Sequence, residues 1–178
     1  APPQWLVFNA AAREGEKGRH DRHWVSYIRG AWADQTDNDS GEIASQYLRT
    51  GTTWSALAVE YANLAGQSVS LVQVLWLRGS TSRAADVRHH FMVSERPFNI
   101  ATELKEFDLD LRNLKHKLSD VRHFETFSAY GEHFRRLLGI ESEMALKLLH
   151  KTQSAKNLGD LNSFLRDYML DRPPTFEV

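Results

Sequence analysis

The sequence predicts an α+β fold, an antiparallel β-meander with flanking helices. Three observations carry this. Three runs between residues 52 and 93 alternate two sets of side chains with period two. The connections between them are shorter than the dozen or more residues a parallel crossover needs. After Pro97 the apolar spacing changes to threes and fours, the period of a helix.

The elements follow in chain order. PPQWLVFNAAA is apolar and opens on Pro2 and Pro3, so it looks interrupted rather than begun; it reads equally as a short edge strand or turn packed on the core. Residues 13–30 are charged and mixed, and His23, Trp24, Tyr27 and Ile28 recur at helical spacing toward a stop at Gly30. ADQTDNDSGE, residues 33–42, is acidic and turn-rich and reads as a loop. In Thr52–Tyr61, Leu57, Val59 and Tyr61 oppose Trp54, Ala56 and Ala58. In Val69–Arg78, Val69, Leu71, Leu75 and Leu77 alternate with Val72, Val74 and Trp76. In Val87–Val93, Val87, His89, Phe91 and Val93 alternate with Arg88, His90 and Met92. Ile100, Leu104, Phe107, Leu111, Leu114 and Leu118 keep helical spacing, with Asp108 and Asp110 as candidate breaks. His123–Thr126 suits a short strand. Ser128 is a candidate cap for a helix that carries Phe134, Leu137 and Leu138 and ends at Gly139. Ile140 to Leu149 marks a further helix. Leu158, Leu161, Leu165 and Tyr168 mark the last, with Asp160 as N-cap and a stop at Pro173-Pro174. No repeat, low-complexity tract or linker interrupts the chain, so residues 1–178 read as one α+β lobe.

Composition narrows the function classes. A chain of 178 residues with 42% hydrophobic and 25% charged residues can bury a real core. Its net charge of -1 excludes bulk electrostatic coating of nucleic acid, so any such contact must come from a local patch. The absence of cysteine excludes disulfides and thiolate metal sites and fits a cytoplasmic location. No apolar run reaches the roughly 20 residues of a membrane span, and APPQWLVF lacks the basic flank of a signal peptide.

Several kinds of chemistry are missing from the sequence. There is no G-x-x-x-x-G-K-S/T, no G-x-G-x-x-G and no G-x-S-x-G. His89 and His90, adjacent on a strand, point to opposite faces and cannot share one metal. His20 and His23, at i and i+3 near Asp21 and Glu16, carry a faint metal signal; a solvated helix face is the simpler reading. Trp54, Trp76, Phe91, Phe124 and Phe127 are core candidates rather than a base-stacking platform.

Four stretches carry a family resemblance: PPQWLVFNAAA, SYIRG (Ser26 to Gly30), YLRTGTTWSALAVEYAN (Tyr47 to Asn63) and NLGDLNSFLRDYML (Asn157 to Leu170). In this order and spacing they resemble the N-terminal head lobe of SMC-like ABC-type ATPases, nearest the MukB-like proteins and the SMC-like subunit of Wadjet plasmid-defence systems. The resemblance implies a partial ATPase head whose helix over 157–172 leads towards a coiled-coil arm. It also implies that the phosphate-binding loop lies upstream, and that the signature motif and metal-binding acidic strand lie downstream. ATP and magnesium would then be cofactors of an intact parent, with none expected for this chain alone. The expected partners are DNA contacted without sequence preference, the rest of the head, a second head in a homodimer and a kleisin-like subunit.

The resemblance also directs attention to particular residues. Gln153, in KTQSAKN, falls where related ATPases place a glutamine that reaches magnesium or the attacking water; a neutral amide can orient a water through both donor and acceptor. Arg29 and Arg49, in RG and RTG, fall where related heads bring an arginine to nucleotide phosphates or DNA. Lys151 and Lys156, with Arg112, Lys115, Lys117 and Arg122, would form a basic surface for the DNA backbone. On their residues alone, Gln153 reads equally as a polar turn residue, and a solvated cation is the simpler reading of the arginines and lysines. The function expected is therefore a non-catalytic portion of an SMC-like ATPase head in chromosome segregation, repair or plasmid defence. The alternatives are a stand-alone α+β module that binds protein or nucleic acid, and, last, a small hydrolase using the His20–His23 region.

Overall fold

A computed structural model describes residues 23–36 and 43–140. The elements lie in a compact unit that includes Arg22–Phe134, apart from the end of the last helix, which enters a second unit at Arg135. The opening apolar segment, the helices expected beyond Ile140, and Gln153, Lys151, Lys156 and His20 lie outside the described residues.

The order is α1 (Trp24–Arg29), β1 (Ala31–Thr36), β2 (Ile43–Tyr47), β3 (Thr53–Ala62), β4 (Ser68–Leu77), β5 (Arg88–Ser94), α2 (Ile100–Glu103), α3 (Leu111–Lys117), β6 (Arg122–Phe124) and α4 (Phe127–Leu137). The four-stranded sheet runs β3-β4-β5-β6, antiparallel throughout, and β1 and β2 form a separate antiparallel pair. The fold is therefore α+β with the meander expected. The β3–β4 turn is set locally: Asn63 Oδ1 accepts from the N–H groups of Ala65 and Gln67, and Gly66 takes φ 78°, where a side chain would be strained.

Period-two alternation decides what the sheet buries. Val72, Val74, Trp76 and Met92 face one way, and Leu104, Phe107, Leu114 and Leu118 pack on them to form the main core. Trp54, Ala56 and Ala58 of β3 join this layer, and Phe107 meets the rings of Trp54 and Trp76 edge-on. Each fully buried Leu or Val contributes roughly 1.5–3 kcal/mol relative to exposure. On the opposite face Phe91 is fully buried and stacks on Tyr130 of α4, with Phe127 edge-on beside it.

Two expectations are corrected and one candidate break is located. Ala33–Thr36 belong to β1 rather than to an acidic loop: the strand is short and poor in β-branched residues, and its pairing with β2 overrides its turn-like composition. The run from Ile100 to Leu118 is broken at the candidate breaks Asp108 and Asp110 into two short helices, with Asp110 capping the second. Glu106, Asp108 and Leu109 adopt positive φ between them, which turns the chain so that both Phe107 and Leu109 reach the core. Ser128 lies inside α4; the hydroxyl of Thr126 accepts from the Ala129 N–H instead.

Candidate functional site

Arg29 is the last residue of α1, a helix closed at both ends by its own sequence. His23 accepts at Nδ1 from the Ser26 N–H while Ser26 Oγ accepts from the His23 N–H, a reciprocal cap. Gly30 ends the helix at φ 66°, and a Cβ there would crowd Leu48 Cδ1 at 3.3 Å. This sharp exit carries the chain into β1 and leaves Arg29 turned into the protein, 1% exposed.

All five guanidinium N–H groups of Arg29 donate to backbone carbonyls. Nε donates to Thr81 O at 3.1 Å, Nη1 to Arg49 O and Gly51 O at 2.9 Å each, and Nη2 to Gly79 O and Thr81 O at 2.8 Å each. No carboxylate is among these partners, so four carbonyl dipoles hold a buried cation. Arg29 is thus neither the phosphate contact nor the solvated cation that the sequence suggested, since no donor remains to offer. Its effect is to tie the turn before β3 to the loop after β4. Gly79 N–H adds to the tie by donating to Thr52 Oγ1 at 2.9 Å.

The tie fixes an end of the sheet rich in exposed arginine. Arg49 is exposed, its Nη2 donating weakly to Ser55 Oγ at 3.4 Å, while Ser55 Oγ donates to Ile28 O at 3.2 Å. Arg78 leaves β4, Arg83 sits in the loop, and Arg88 opens β5 opposite Trp76; all three are exposed. The one carboxylate in residues 48–55 and 76–90 is Asp86, bonded by the Thr81 hydroxyl and by Arg83 at 2.9 Å. These bonds, Thr81 first and Arg83 second, hold its pKa below the ordinary carboxylate value. Four arginines against one neutralised carboxylate make a locally positive rim on a chain of net charge -1.

The far end of the sheet has the opposite character. Arg96 lies between Asp120 (2.7 Å) and Glu103 (2.6 Å), which hold its pKa up. An open groove of about 670 Å³ there carries Glu60 and Glu103 and so disfavours anions.

The basic face expected on α3 is partly neutralised. Lys115 pairs with Glu125 at 3.2 Å and Lys117 donates to Lys105 O, while Arg112 and Arg122 are exposed. The metal hint does not gain from the structure: His23 Nδ1 is engaged in its cap, and no cluster of three or more His, Asp or Glu suited to a metal occurs among the described residues. No helix among them is long and apolar enough to cross a membrane.

Sequence reasoning singled out Arg49 and missed Arg78, Arg83 and Arg88. The signal was present: in a meander the start of the first strand, the end of the second and the start of the third converge. It missed a second arrangement as well. His90 and His123 share a face of adjacent antiparallel strands and stack with ring centroids 5.3 Å apart. Compared with known proteins, the sequence matches no family model and no curated protein.

Proposed function

We propose that this chain is a non-catalytic lobe of an SMC-like ATPase head, contacting DNA without sequence preference through its arginine rim. One observation carries the reading. SYIRG and YLRTGT, two stretches singled out by their resemblance to that family, meet in space through the bonds from Arg29 to Arg49 O and Gly51 O. The divided chemistry of the two arginines supports it. Arg29 fixes the turn, and Arg49 stands exposed on it with a planar fork suited to phosphate oxygens.

In this reading ATP and magnesium belong to an intact cytoplasmic parent. There Gln153 would orient the attacking water, and Lys151 and Lys156 would extend the DNA surface. The remainder of the head, a second head and a kleisin-like subunit would be its partners. The chain's own contribution is positional: a rigid, positively charged sheet end that follows the phosphate backbone. Because the sequence lacks a phosphate-binding loop, magnesium-ATP should leave its melting temperature unchanged.

The test is duplex DNA binding by the chain across a salt series. Affinity should fall linearly on a log–log plot, by a slope of about 0.9 per phosphate neutralised, and Arg49→Ala should weaken binding to all sequences alike. Salt-insensitive binding would contradict the phosphate contact, absence of binding would favour the stand-alone α+β module that binds protein or nucleic acid, and a magnesium-ATP thermal shift would contradict the non-catalytic assignment.

A further inference from the structure

Of the four ring nitrogens of the stacked pair His90 and His123, three have partners. His123 Nε2 lies 3.0 Å from Leu118 O, which can only accept, so this nitrogen carries hydrogen and Nδ1 is the bare one. His90 Nε2 lies 3.0 Å from His123 Nδ1 and must therefore donate to it. His90 Nδ1 is left as a bare acceptor, buried without a partner in a residue 1% exposed. The pair holds two protons in one arrangement. A third has no good site: on His90 Nδ1 it makes a buried cation with no acceptor, and on His123 Nδ1 it sets two donors face to face.

The place of the pair gives this proton count a consequence. It lies across the β5–β6 seam, where only three residue pairs join the strands, Phe91↔Phe124, Met92↔His123 and Val93↔Arg122. The short β6 also links α3 to α4, and the same seam holds Phe124 in contact with Tyr130. We infer that the His90–His123 pair is a proton-sensitive latch that holds β6 and the start of α4 on the sheet at neutral pH and releases them on mild acidification, while the β3–β4 hairpin stays folded.

The charged surroundings point the same way. Burial is the main influence on both rings and lowers their affinity for protons. Around His90, His123 on β6, Lys115 on α3 and His89 on its own strand lower it further, and Glu125 beyond β6 opposes them. Around His123, Lys115 lowers it, while the Leu118 carbonyl and Asp120 oppose. His90 is brought down to about 4. Because folded His90 binds its proton less readily than the unfolded ring, folding weakens as pH falls through the ordinary histidine value near 6.5, and the loss levels off near 4.

Amide hydrogen exchange of the full chain at about pH 7.5 and about pH 5, corrected for intrinsic rates, tests the latch. Protection over residues 118–130 should fall about tenfold or more relative to β3 and β4, one pKa unit being a factor of ten. His90→Phe, which cannot take up a proton, should diminish the difference, leaving only the part that His123 contributes. A parallel loss of protection in all elements, or an undiminished difference in His90→Phe, would overturn the proposal. If that variant fails to fold, imidazole nitrogen spectra of the unmodified chain decide. Both rings should carry hydrogen on Nε2 at about pH 7.5 and resist protonation through about pH 6. Hydrogen on His90 Nδ1, or titration of His90 at the ordinary histidine position, would overturn it.

Discussion

Arg29 and His90 are each 1% exposed, yet burial acts on them in opposite ways. Every N–H of Arg29 meets a carbonyl, and the guanidinium organises two loops. His90 is held neutral first by burial, with one of its nitrogens left without a partner, and the neutral ring closes a strand seam. The lesson is that a group which cannot shed its proton must have its donors satisfied when buried, whereas burial holds neutral a ring that can. A guanidinium cannot escape by losing its proton, so the fold had to build carbonyls around it. An imidazole can, and the fold leaves it neutral.

The largest effect that would sharpen this contrast is loss of the Arg29 cradle. Arg29→Ala leaves four inward carbonyls without donors and should cost at least about 3 kcal/mol, read from urea denaturation, since each unsatisfied buried group costs roughly 1–3 kcal/mol. Arg29→Lys keeps the charge but has only three donors on a point-like ammonium, and should recover only part of the loss. If Arg29→Ala were neutral, the guanidinium would not be the tie between the two loops. Next in size is Leu114→Ala, which opens a cavity beneath the sheet and should cost roughly 2–5 kcal/mol. It serves as the ordinary hydrophobic reference for the two polar sites.

The His90 side of the contrast is broken by pH. Stability should be highest above the ordinary histidine value and fall by on the order of 2–3 kcal/mol between about pH 6.5 and about pH 4 from His90 alone. His90→Phe should flatten that part of the profile, and an unchanged profile would assign the loss to other groups. The smallest effect belongs to the acidic end. Asp120→Asn removes one half-exposed partner of Arg96 and should leave the urea denaturation midpoint nearly unchanged.

Much of the sheet was legible because β3, β4 and β5 alternate cleanly and are joined by short turns. Gly30 marked the end of α1 for a physical reason that the structure repeats, a left-handed residue pressed against Leu48. What the sequence hid was set by contacts distant along the chain. Ala31–Thr36 form a strand only because Ile43–Tyr47 pairs with them. Asp108 and Asp110 signalled a break, but not the three positions of positive φ through which Phe107 and Leu109 reach one core. Arg29 looked like an available cation because its partners are carbonyls of residues 49, 51, 79 and 81, which carry no side-chain signal. The arginine rim and the histidine pair were hidden in the same way, in the register between strands rather than within any of them.

Arg29 is a buried tie, and we propose that the exposed arginine rim it fixes meets a phosphate backbone. Fluorescence anisotropy on duplex DNA of mixed sequence tests it most directly, comparing the unmodified chain with Arg49→Glu and with Glu60→Gln at the acidic end. The account predicts steeply salt-dependent binding, a salt slope reduced by about one for Arg49→Glu, and no loss for Glu60→Gln. Equal binding by the unmodified chain and Arg49→Glu at every salt concentration would contradict it.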